Sequence, residues 1–196
     1  DAHAHGWSRD RKVGSLSYCA REVDAARERW ERALALGRED EATALQSGAM
    51  PDLERLFGAG SAEFSDGLCA GGRIALARGD AASANDQAAR ALALLQSLDV
   101  ASVPIETQCH VLRANALLAL QRHEEALVEA TRAVERLQTA NPEAKARLAA
   151  LLLLRSRIER ASGDIDGAMR SVELARGLGV ALEWLAAEDR TMLEAR

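Results

Sequence analysis

A thiol beside an imidazole is the starting material for nucleophilic catalysis or metal binding, and the chain offers one such pair, Cys109-His110, with His123 further along. Residues one apart on a helix do not face each other. A working dyad or metal site would need both side chains turned inward with a third partner, so structural roles are the expectation for both histidines. Cys19, Cys69 and Cys109 are an odd number without CxxC spacing, which fits neither a disulfide framework nor a zinc site. That implies a reducing compartment, and a cytoplasmic location is expected. At the start, Asp1-Ala2-His3 has the pattern that holds Cu²⁺ or Ni²⁺ in a square plane, through the α-amine, two backbone nitrogens and the imidazole, if Asp1 is a free terminus. Termini are usually poorly ordered, so no metal or other cofactor is expected. The phosphate-binding GxxxxGK[ST], HExxH, GxSxG and dinucleotide fingerprints are absent. Gly71-Gly72 and the GAGS at 58–61 are too short to cradle a phosphate and suit helix packing and a loop. Acidic residues sit on polar helix faces, as Glu28 does with Arg32 at i,i+4. Nothing here assembles a catalytic site, and the chain is expected not to be an enzyme.

The elements that carry these residues are helical. The hydrophobic share of 48% is supplied by Ala and Leu, with 3% aromatics, a composition poor in strand-forming residues. Pro51, Pro104 and Pro142 fall between apolar-periodic stretches, where they punctuate helices without breaking one. A net charge of −5 argues against a nucleic-acid or anionic-membrane surface, both of which need a basic field. The longest apolar run, Leu148 to Leu154, is far short of the roughly 20 residues that span a membrane.

The chain repeats itself. Ala84, Ala126 and Ala168 recur at one constant interval, and seven positions after each comes another alanine, Ala91, Ala133 and Ala175. Four positions after each anchor come Ala88, Ala130 and Val172, so the three offsets form one stripe of a 3.6-residue helix. Five positions before the anchors stand Gly79, Gln121 and Gly163, two of them glycines suited to ending a helix in the left-handed conformation. Twelve before stand the small residues Gly72, Ala114 and Ser156. A fourth copy is read upstream and out of phase, with Ala26 as anchor and Gly14, Trp30 and Ala33 at the matching offsets. The pattern predicts paired antiparallel helices in which small residues allow close approach while leucines and valines fill the space to the next pair.

On these residues the chain resembles the tetratricopeptide repeat family, in a long unit of about 42 residues against the family's usual 34, as in arrays of bacterial regulators and kinases. Gly71, Arg113 and Arg155 stand where the family usually has leucine. The resemblance implies an all-α, right-handed superhelix of antiparallel helix pairs over residues 1–196: a unit at 7–36, an irregular insertion or degenerate unit at 37–61, units at 62–98, 104–138 and 143–177, and a capping helix at 180–196. In the family the first helix of each unit lines the concave face. The corresponding ligand stripe here is Ser15, Arg73, Asn115 and Arg157, extended one turn on by Tyr18, Leu76, Leu118 and Arg160, and one turn back by Arg11, Cys69, Val111 and Leu153.

That stripe is basic and apolar in an acidic chain, which implies a protein or peptide partner with acidic and apolar side chains. The function the resemblance implies is a binding scaffold, the sensor or adaptor part of a larger bacterial regulatory protein such as a transcription regulator or kinase. A free-standing assembly factor or co-chaperone is the alternative, and an enzyme a distant third.

Overall fold

The computed structural model describes residues 25–98 and 102–179. Among them are eight helices and no strand: α1 over residues 25–35, α2 Glu39–Phe57, α3 Ala62–Ala77, α4 Ala81–Gln96, α5 Val103–Ala119, α6 His123–Ala140, α7 Lys145–Ser162 and α8 Ile165–Gly177. They form a TPR-like right-handed superhelix of antiparallel pairs, α1/α2, α3/α4, α5/α6 and α7/α8. No helix among the described residues is long and apolar enough to cross a membrane.

The pairs are joined by one repeated turn. One residue in the turn after each first helix has positive φ: Gly37 at 67°, Gly79 at 82°, Gln121 at 58° and Gly163 at 89°. These four positions are equally spaced along the chain. The hydrogen bonds around them repeat as well: Arg38, Asp80, Arg122 and Asp164 donate their backbone N–H to Ala33, Ala75, Leu117 and Glu159 at 2.9 Å. Such bonds occupy carbonyls that a helix end otherwise leaves without partners. Asp80 and Asp164 then cap the next helix, their carboxylates accepting from the N–H groups of Ser83 and Gly167. Arg38 and Arg122 hold the same place without a side-chain cap.

Behind the turns, the small-residue stripe meets the core. Ala84, Ala126 and Ala168 are fully buried, as are Ala91, Ala133 and Ala175. A chain of apolar clusters follows. Trp30, Ala33, Ala42, Leu53 and Ile74 join α1, α2 and α3; Leu68, Ala88, Leu92 and Leu112 join α3, α4 and α5; Leu117, Ala130 and Ile158 join α5, α6 and α7; Val134, Leu152 and Ala175 join α6, α7 and α8. Each pair buries its apolar face only against its neighbour, the arrangement of a solenoid.

Two expectations are corrected. Glu39–Phe57 is one continuous helix, with Pro51 inside it, where the sequence reads as an irregular insertion or a degenerate unit and every proline as lying between apolar-periodic stretches. The proline lacks only the N–H that Ser47 would receive, and both residues are exposed. On the opposite side Ala42, Gln46, Ala49 and Leu53 are buried in a helical stripe, and that packing outweighs the missing bond. The repeat spacing also runs through this helix, from Gly37 to a fully buried Ala42. It therefore passes through Ala42 rather than the partly buried Ala26. Trp30 stands where the later units carry a small residue, which hides the match.

Candidate functional site

The first helices of successive pairs border a groove of about 680 Å³, a size typical of ligand sites, which run from about 300 to 1,000 Å³. From α3 come Arg73 and Leu76; α5 contributes Thr107, Gln108, Val111, Leu112 and Asn115; Arg147, Ala150 and Leu151 come from α7, and Leu137, Ala140 and Asn141 from the end of α6. Val103 and Pro104 close one end, Pro104 at the first turn of α5, where its missing N–H costs nothing.

The floor is apolar and the polar groups are few. Arg73 reaches back to Glu31 of α1, Nη2 to Oε1 2.9 Å, and its buried Nε has no partner among the described residues. The buried Thr107 hydroxyl is likewise unpartnered. Asn115 donates its amide to the Val111 carbonyl at 2.9 Å, which leaves its oxygen to accept. Two guanidinium groups and no carboxylate occur among the lining residues.

Of the residues the sequence places on the inner stripe, Arg73, Leu76, Val111 and Asn115 come together here. Leu118 is half-buried against the Leu117–Ala126 cluster. Arg157 is exposed and Arg160 half-buried on α7, outside the groove lining. Arg11, Ser15 and Tyr18 lie outside the described residues, as do Asp1 and His3. Arg147, Thr107, Gln108 and Asn141 were not singled out by the sequence. Continuing the stripe one turn toward the N-terminus of α5, from Val111 to Thr107 and Gln108, would have found those two, whereas Arg147 lies off the α7 stripe of Leu153, Arg157 and Arg160.

The histidine expectation fares differently from the cysteine one. His110 is buried, its Nδ1 2.6 Å from Glu129 Oε2, while Arg113 and Arg132 each approach Glu129 Oε1 at 3.0 Å. Burial pushes the Glu129 carboxyl up, but the His110 hydrogen bond and the Arg113 charge outweigh it and hold the carboxyl below its ordinary range. Asp66 shows the opposite balance. Burial raises it despite Arg27, whose Nη2 lies 2.5 Å from its Oδ2. His110 thus joins an interhelix polar network around Glu129. Among the described residues no cluster of three or more His, Cys, Asp or Glu is placed to hold a metal. The cysteines are corrected: Cys69 of α3 and Cys109 of α5 form a disulfide, with Cα atoms 5.7 Å apart, within the range such bridges span. Neither the count nor the spacing of the cysteines signals a pair that meets only when two units stack.

No protein-family model and no curated protein matches the chain. Among solved structures it is similar to a Podosopora anserina protein described as a kinesin light chain with nearly identical TPR-like repeats. The TM-score is 0.70 at 17% sequence identity, over 89% of this chain and 82% of that one. Identity that low speaks for fold alone: the chain shares the helical-repeat architecture of TPR-like proteins.

Proposed function

We propose that the chain is a protein-interaction scaffold whose α3–α5–α7 groove holds a peptide segment with carboxylate and apolar side chains. A second part of the proposal is that it serves as the sensor or adaptor portion of a larger bacterial regulatory protein, which the resemblance to long-unit arrays supports. The observation that carries the first part is the groove lining, two arginines above an apolar floor in a chain of net charge −5. Guanidinium forks match carboxylates bidentately, and apolar area removed from water supplies the non-directional part of the affinity.

Short acidic and apolar peptides, with charge-inverted versions as controls, test this by fluorescence anisotropy on the full chain. Arg73→Ala with Arg147→Ala should weaken binding at least about tenfold, equivalent to about 1.4 kcal/mol, with the helical circular dichroism unchanged. Equal binding of the charge-inverted peptides, or an undiminished affinity in the double variant, overturns the assignment.

A further inference from the structure

Cys69 and Cys109 are nearly or fully buried, at 2% and 0% exposure, and neither has a part in the groove lining. Their position is what matters. Arg73 and Leu76 follow Cys69 on α3 by one and two turns; Leu112 follows Cys109 on α5 by one turn, and Asn115 by nearly two. Leu112 belongs to the apolar cluster that contains both cysteines, Leu76 packs against that cluster, and both leucines line the groove. The bond therefore ties together the two helices that form one half of the groove floor. It joins neighbouring helix pairs, and the loop it closes contains the whole of α4.

We infer that the thiol–disulfide state of Cys69 and Cys109 regulates the groove, the bonded form holding α3 and α5 at the spacing that binds and the reduced form leaving that spacing free to relax. This inference rests on the groove being the binding site. The chemistry is exchange with a low-molecular-weight disulfide. One protein thiolate attacks it, forming a mixed disulfide and releasing one small thiolate. The second protein thiolate then attacks the protein-bound sulfur, closing Cys69–Cys109 and releasing the second small thiolate. The two cysteine protons end on the two released thiols, so the protein loses two electrons and the small disulfide gains them. Because both sulfurs are shielded from solvent, exchange requires α3 and α5 to part, and a small thiol should reduce the folded chain far more slowly than the unfolded one. The binding-competent state then belongs to an oxidising setting, where disulfides persist. The link is reciprocal: whatever favours the bonded groove favours formation of the bond by the same factor.

The test uses the full chain, oxidised or reduced by a dithiol, with the anionic aromatic probe 8-anilinonaphthalene-1-sulfonate titrated by fluorescence. Peptide mapping after alkylation should recover Cys69 linked to Cys109 in the oxidised sample. The reduced chain should bind the probe about fivefold more weakly, and Cys69→Ala should abolish that dependence on redox state while keeping its helical circular dichroism. Absence of the linked peptide, or equal affinity of the two forms, overturns the inference. Arg73→Ala with Arg147→Ala separates the two readings. If the probe ignores the arginines, the groove assignment falls; if it needs the arginines but ignores the redox state, only the regulation falls.

Discussion

The α3/α4 and α5/α6 pairs fill the same place in the repeat with opposite chemistry. At Gly71 the first pair has no side chain, and a Cβ there would run into the ends of Gln87 and Gln46. At Arg113, one repeat further on, the second pair has a guanidinium that meets Glu129, the counterpart of Gln87, at 3.0 Å. The last pair varies the theme: Arg155 Nε donates to Ser171 Oγ at 3.0 Å, and Ser171 donates to Glu159 at 2.5 Å. Where the TPR-like pattern has leucine, this chain has one vacancy and two polar bridges. The common requirement is a filled interhelix space, and apolar bulk is one of several ways to meet it.

The sharpest way to break this comparison is to remove the acid from one pair and its counterpart from the other. Glu129→Leu strands His110 and half-buried Arg113, and should cost about 3 kcal/mol in urea unfolding. Gln87→Leu, which strands no charge, should cost less than about 1 kcal/mol. Equal losses would mean that the Glu129 network does no more than fill space. Next in size is Ala126→Leu. Ala126 is fully buried between paired helices, and overpacking there should cost about 2 kcal/mol, read as a lower melting temperature.

A smaller contrast lies within α3 itself. A Cβ on Gly72 would come 2.7 Å from Leu112 Cδ2 and 3.2 Å from the Ala84 carbonyl oxygen, which is backbone and cannot swing away. Gly72→Ala should therefore destabilise by about 1 kcal/mol. Gly71→Ala meets only flexible amide ends and gains helix propensity, so its net effect should stay within about 0.5 kcal/mol.

The smallest expected effect is in pH dependence. Glu129 is held below its ordinary value of 4.5, so its stabilising contribution is complete above that value and lost as pH falls through the lower folded-state value. Asp66 is raised above 3.8, so its burial penalty is complete above the raised value and relieved on acidification. Glu129→Gln should flatten the acid limb of a stability–pH curve, and Asp66→Asn should steepen it. Unchanged curves in both would show that neither group contributes to the acid limb.

Helix pairing was legible because backbone geometry forces it. Gly79 and Gly163 mark turns that need positive φ, and the alanines mark close approach, so both leave residue-type signals at fixed offsets. The register of the first described pair, through Ala42 in place of Ala26, was hidden because Trp30 fills a place that is small elsewhere and Pro51 imitates a break. Arg73, Leu76, Val111 and Asn115 of the groove were readable as a stripe on α3 and α5. Arg147 and Asn141 were not, since their position depends on how α6 and α7 stack against α5, a relation between units that no offset within a unit encodes. The same holds for Cys69 with Cys109, and for Arg73 with Glu31.

The four equally spaced turns at 37, 79, 121 and 163 have an evolutionary consequence. Excising or duplicating the segment between two equivalent turns rejoins a turn to carbonyls already arranged to receive it, so the gene can change length in whole units without a frame of broken helices. The covalent tie from Cys69 to Cys109 is the exception. Loss of the unit between Gly79 and Gln121 would bring Leu151 to the place of Cys109 and leave Cys69 without its partner.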